Sequence, residues 1–250
     1  MSVEVAAASR HRIGLQNEKP LHAALKHWYA RPGDRFEVPV DGYQVDIVRG
    51  KQLIEIQTQS FARIKRKLMA LLEGHSVRLV YPIPRDKWIV RLADDGDRRL
   101  SRRRSPKHGG WVDVFHELVS FPGLMAAGGF SLELLLVEEE ELRRHDPKRG
   151  WRRKGWLVEE RRLVAVVDRL LLTTPADAAG LLPASLAEPF TTADLAVAIG
   201  KKRGLAGRMA YCLREMGCLG VAGKQANAFL YVRTDVATLS PCRRTRKRDG

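Results

Sequence analysis

Three short runs with period-two alternation follow one another between residues 35 and 58: RFEVPV, GYQVDIV and QLIEIQT. Asp41-Gly42 separates the first two and Arg49-Gly50-Lys51 the second and third, both of them hairpin connections. The pattern predicts an antiparallel meander, and a helical stretch stands on either side of it. In NEKPLHAALKHWYA, Leu21, Ala24, Leu25 and Trp28 recur at helical spacing. Asn17 can cap that helix, Glu18 suits its positive end, and Pro20 is tolerated in its first turn. In SFARIKRKLMALLEG, Phe61, Ile64, Leu68 and Leu71 share one face between a cap at Ser60 and a stop at Gly74. VRLVYPIP, ended by proline, and KWIVRL read as two further strands, which makes the order α-β-β-β-α-β.

The rest of the chain is less regular. DDGDRRLSRRRSPKHGG reads as an exposed charged loop, and WVDVFHELVSFPGLM as a helix that stops near Pro122. FSLELLLVEEEELRR reads as a strand extending the sheet, although its length also permits a helix. After a second basic loop, HDPKRGWRRKGW, the segment ERRLVAVVDRLLL is expected to be helical with Leu163, Val166, Val167 and Leu170 on one side. TTPADAAGLLPASLAEP reads as a linker. TTADLAVAIG is then a short helix capped by Thr191 or Thr192 and stopped by Gly200, and LAGRMAYCLREMG a second one ended by Gly217. CLGVAGKQANAFLYVR has the pattern of a two-stranded ribbon turning between Gly223 and Asn227. The expected organisation is a flexible start over 1–13, an α/β domain with basic loop insertions over 14–172, a linker over 173–189, a small domain over 190–234 and a disordered basic tail over 235–250.

Charge narrows the function. A net charge of +15 in 250 residues favours a polyanionic partner, because phosphates release counterions when lysine and arginine replace them. No 18-residue apolar span is present, which argues against a membrane protein, and MSVEVAAASRHR lacks the basic-then-apolar layout of a secretion signal. Cys212, Cys218 and Cys242 are odd in number and all lie late; Cys212 and Cys218 lack a CxxC spacing and a nearby histidine, so these two read as reduced core thiols. The expectation is a cytoplasmic protein that meets nucleic acid.

Alternation along a strand sends Glu55 and Gln57 to one side and Ile54 and Ile56 to the other, and it sends Asp46 away from Val45 and Ile47. If the two runs pair, Asp46 approaches Glu55. Two converging carboxylates suit a hard divalent cation; an exposed row of acids on a solvent-facing strand is the plainer alternative. With the α-β-β-β-α-β order, VDIVRGKQLIEIQT resembles the PD-(D/E)XK nuclease superfamily over roughly residues 14 to 92. The resemblance implies a restriction-endonuclease-like α/β fold, a mixed sheet flanked by helices. It also implies Mg²⁺- or Mn²⁺-dependent endonuclease chemistry on DNA, with Asp46 and Glu55 as metal ligands. Glu18 matches the additional acid of helical members, and Gln57 stands where the lysine that orients the attacking water usually does. Lys65 or Lys67, on the next helix, could supply positive charge instead. Many such nucleases pair up, so a homodimer fits. The chain also fits an uncharacterised bacterial family with this N-terminal pattern.

The last segment resembles a winged helix-turn-helix, with KKRG as the turn and VAGKQANAFLYVR as the wing. The resemblance implies DNA contacts from Lys201, Lys202, Arg203, Arg208 and Lys224; a small module for protein contact is the alternative. Leu205, Met209, Cys212, Leu213 and Met216 have core spacing. HELV at His116 opens like a zinc-protease helix but lacks the second histidine, which leaves His116 structural. His22 and His27 lie on the first helix, where a surface role competes with approach to a metal. Trp151 and Trp156, interleaved with basic residues, suit stacking along a phosphate backbone. Two functions compete: a metal-dependent DNA nuclease, and a catalytically inactive nuclease-fold regulator that binds DNA. RNA stays open as the nucleic acid.

Overall fold

The computed structural model describes residues 19–94, 96, 98–149 and 154–234. The expected flexible start, Asn17, Glu18, Trp151, Cys242 and the basic tail lie outside the described residues. Helix α1 (Pro20–Tyr29) opens on Pro20, with Lys19 as an N-cap that makes no side-chain bond. It buries Leu21, Leu25 and Tyr29, a strict i, i+4, i+8 row. Trp28, expected in that row, is 44% exposed, because Tyr29 holds the inward position.

The meander forms as β1 (Arg35–Val40), β2 (Tyr43–Arg49) and β3 (Gln52–Ile56), antiparallel throughout. Asp41-Gly42 closes the first hairpin with both residues in the left-handed region, at φ 47° and 78°, where Gly42 costs least. Arg49 ties the end of β2 back to the loop before β1: Nε and Nη2 donate to the two carboxylate oxygens of Asp34 at 2.9 and 2.7 Å, and Nη2 also reaches Tyr29 O. The guanidinium holds the Asp34 carboxyl below its ordinary range.

Three of the expected elements form differently. VRLVYPIP and KWIVRL are one 17-residue strand, β4 (Ser76–Leu92), which runs through Pro82 and Pro84. The supposed charged loop contains β5 (Arg99–Arg104), paired antiparallel with β4; its residues are all exposed, so no apolar alternation announced it. ERRLVAVVDRLLL is not helical but lies within β7 (Trp156–Leu172), and its valines fit a pleated strand better than a helix. The linker carries helix α4 (Pro175–Ala179), started by a capping box between Thr174 and Asp177, and it buries Leu182 and Leu186. FSLELLLVEEEELRR is indeed strand, in β6 (Phe130–His145). The architecture is α/β: a mixed seven-stranded sheet in the order β1-β2-β3-β4-β6-β7, with β5 on β4, flanked by helices. No described helix is long and apolar enough to cross a membrane.

Two compact units divide the chain, each drawn from several segments. The first takes residues 1–58, 80–110 and 135–169. Its core joins Leu21, Leu25 and Tyr29 of α1 to Ile47, Ile54, Ile56, Val80, Leu135 and Val137 of the sheet, with Leu163 and Val166 against it. Burying each such side chain contributes about 1.5–3 kcal/mol. The second unit takes 59–79, 111–134 and 170–250. It holds a 3-10 turn (Phe61–Arg63), α2 (Lys65–Leu71) and α3 (Phe115–Leu118), and then α5 (Thr192–Ala198), α6 (Arg203–Glu215) and the ribbon β8 (Leu219–Gln225) and β9 (Ala228–Arg233). Phe61 stacks on Phe121 at 5.1 Å between ring centroids, and Phe121 meets Phe130 edge-on. Thr191 and Asp194 form a capping box at α5. Leu205, Met209, Cys212 and Leu213 are buried on α6, and burial pushes the Cys212 thiol up to about 12.

Candidate functional site

Asp46 stands on β2 next to Ile47, which pairs with Ile54 of β3. The ladder runs from Arg49 and Gln52 to Ile47 and Ile54, and Asp46 follows at its end. The Asp46 carboxylate leans along β3, where its Oδ2 accepts the Ile56 N–H at 2.7 Å. Ile56 lies between Glu55 and Gln57, so Asp46 is tied to the backbone stretch that carries both. His22 of α1 approaches from the helix, with Nε2 at 3.2 Å from the same oxygen. Asp46 keeps 14% of its side-chain exposure. Glu55 is 2% exposed and Ile54 0%, which means the strand is covered on both faces. The plainer alternative, a solvent-facing acid row, does not hold for Glu55.

Gln57 follows β3 directly, and its N–H donates to Val80 O at 2.9 Å, which holds this end of β3 against β4. Among the described residues no three histidine, cysteine or acidic side chains form a metal-ready group. Glu18, four positions before His22, lies outside them. His27 is exposed on α1.

A second cluster in the same unit escaped the sequence reading. The EEEE run of β6 meets a cation at every position. Glu138 takes Arg85 at 2.8 Å, and Glu140 takes Arg102 at 2.8 Å. Glu139, fully buried, takes Lys87 at 2.9 Å and Arg161 at 2.6 Å; Glu141 takes Lys87 and Arg143. Burial works to raise the Glu141 carboxyl, but Lys87 and Arg143 outweigh it and hold it below the ordinary range. Arg161 Nη1 also donates to Thr58 O at 3.2 Å, one residue past Gln57. Asp86, 4% exposed, gathers Arg104, His108 and Arg85, and its carboxyl is held low, chiefly by Arg104. The signal that could have found these pairs was the EEEE run itself, because four carboxylates on a buried strand require matching cations. Spacing alone does not pair them, because Arg161 sits in a run that also fits a helix, and Arg102 and Arg104 sit in one without apolar alternation.

The basic residues of the last segment divide in two. Lys201 is engaged, its Nζ 2.7 Å from Asp113 Oδ2, and Arg208 Nη1 lies 2.8 Å from His116 Nδ1. Lys202, the N-cap of α6, and Arg203 are exposed; Arg203 Nε reaches Thr192 Oγ1 at 3.3 Å. Lys224 is exposed near the ribbon turn, with its ammonium 5.1 Å from the Phe229 ring centre. Lys65 is exposed on α2, and Lys67 is partly buried there. Glu117, next to His116, accepts the Phe61 N–H at 3.0 Å, a structural use of the HELV acid.

A family model described as a domain of unknown function, DUF8091, matches residues 19–173. The chain belongs to that family. It is also 31% identical over 185 residues to an uncharacterized protein of Treponema pallidum (strain Nichols), an alignment covering 74% of this chain and 73% of that protein. No solved structure matches. The DUF8091 segment contains α1, the meander and every strand of the large sheet, so Asp46, Glu55, Gln57 and the β6 ion pairs all belong to it. Helices α5 and α6 and the β8–β9 ribbon follow after its end.

Proposed function

We propose that the chain is a metal-dependent nuclease that hydrolyses phosphodiester bonds in DNA, built on a restriction-endonuclease-like plan and aided by a winged helix-turn-helix. One observation carries the reading: the Asp46 carboxylate is turned onto the Glu55–Gln57 stretch of the neighbouring strand, bonded to the Ile56 N–H. The donors are hard oxygens from adjacent strands, and Mg²⁺ typically takes one or two carboxylates while keeping several waters. Asp46 and Glu55 would hold such an ion, and Glu18 belongs to the same proposal. When bound, it neutralises charge on the phosphate and makes a coordinated water more acidic. The chain's own residues do the rest. His22 fixes the orientation of Asp46, the Gln57 amide orients the water, and the buried flank around Leu53 and Glu55 limits bulk solvent. Lys202, Arg203 and Lys224 are exposed cations suited to phosphates, and Lys65, Lys201 and Arg208 extend that basic set.

The inactive DNA-binding regulator is supported by a specific feature as well. An Asp46 oxygen already serves a backbone N–H and an imidazole, and Gln57 carries no positive charge. Incubating the protein with supercoiled plasmid and Mg²⁺ or Mn²⁺ separates the two. A nuclease nicks it, and Asp46→Asn or Glu55→Gln stops the nicking while retention of DNA on a filter stays as before. Retention without nicking selects the regulator. Absence of salt-dependent retention rejects both readings.

A further inference from the structure

The two edges of the large sheet are built differently. At one end β1 is six residues long, carries Pro39 and has Glu37 at φ 51°. Shortness, proline and a backbone kink are devices that keep an edge from recruiting another strand. At the other end β7 has 17 residues and no proline, and among the described residues no strand lies on its outer side. At about 3.4 Å per residue it offers roughly 58 Å of edge. Its middle reads LVAVV, the near-continuous aliphatic run typical of an interior strand in an α/β sheet. Yet Leu163, Val164, Val166 and Val167 all stay outside the buried class, and Val164 is 50% exposed.

We propose that β7 is a pairing edge and that its occupant is the β7 strand of a second copy of this chain. An antiparallel strand pair serves both partners with the same surface and closes after two copies. The sequence supports a two-fold axis at Ala165, perpendicular to the sheet. That register sets Val164 against Val166, Leu163 against Val167, and Arg162 against Asp168 on both sides of the axis. The small alanine falls at the centre. Arg169 meets Arg161, whose guanidinium is already held by Glu139. Strand pairing of this kind gives main-chain hydrogen bonds for affinity and aliphatic cross-strand pairs for register. The inference is independent of the nuclease reading and is tested without metal or nucleic acid.

The mass of the full chain, measured by light scattering across a dilution series, is expected to be twice that of one chain at the upper end. Val164→Lys brings two lysines close to the axis and is expected to weaken the dimer at least tenfold, with an unchanged circular dichroism spectrum. Ala165→Cys is expected to form an interchain disulfide under mild added oxidant, since opposite residues lie within disulfide reach; Val38→Cys on β1 is not. A wild-type chain that stays monomeric overturns the proposal. So does a dimer that ignores Val164→Lys, or one that crosslinks through Val38→Cys and not Ala165→Cys. If Val164→Lys unfolds, the crosslinking pair decides the matter alone.

Discussion

Two carboxylate groupings on the same sheet, Asp46 with Glu55 and the run Glu138 to Glu141, have opposite surroundings. On β6 each acid meets a lysine or an arginine, and the buried Glu139 meets one of each. On β2, Asp46 meets a histidine ring and a main-chain N–H. The first grouping is charge-matched within the fold and reads as structural: it fixes β4, β6 and β7 in register. In the second, Asp46 is bonded to an imidazole and a main-chain N–H, and this is the grouping that the proposed metal site uses. Burial alone does not separate them, because Glu55 and Glu139 are both inside. Their partners do.

The comparison breaks most readily at Arg161. Arg161→Met leaves Glu139 buried with Lys87 as its remaining cation, and the expected loss is about 3 kcal/mol in urea denaturation. A change below about 0.5 kcal/mol would mean the β6 acids are not structural. Next in size, Glu55→Gln is expected to lower metal-dependent plasmid nicking by about a hundredfold or more. Thermal unfolding with and without Mn²⁺ sharpens the contrast: the ion is expected to raise the midpoint of wild type and leave that of Glu55→Gln unmoved. A smaller effect is expected at Asp46→Asn in the absence of metal. The amide oxygen can still accept the Ile56 N–H, so stability should fall by no more than about 1 kcal/mol. The smallest effect concerns acid. Glu141 has its folded carboxyl held below the unfolded value, so its contribution is complete above about pH 4.3 and fades as pH falls through the lower folded value. Glu141→Gln should flatten that acid limb of the stability curve and leave the neutral region parallel to wild type.

Much of the first unit was legible because local signals agreed with the final fold. Hairpin glycines, strict alternation and a proline-started helix specify α1 and the meander without distant help, and Asp46 and Glu55 came with them. Thr191 and Gly200 likewise mark α5 through cap chemistry that acts within a few residues. ERRLVAVVDRLLL was misread because its aliphatic spacing satisfies a helix and a strand equally, and only pairing with β6 decides between them. β5 was missed for the opposite reason: its six exposed residues carry no apolar period, and its arginines answer to Asp86 and Glu140 on other strands.

By itself, then, the sequence determined the elements whose stabilising contacts are local: the turns, the caps, the helix stripes and the alternation that directs each strand side chain. Tertiary structure alone decided which partner each acid meets. The reason is physical: an ion pair forms between groups 15 to 88 residues apart only when strands and helices bring them within a few ångströms, as with Asp34 and Arg49 or Asp113 and Lys201. Nothing in the spelling of EEEE or of VDIVRGKQLIEIQT records that distance.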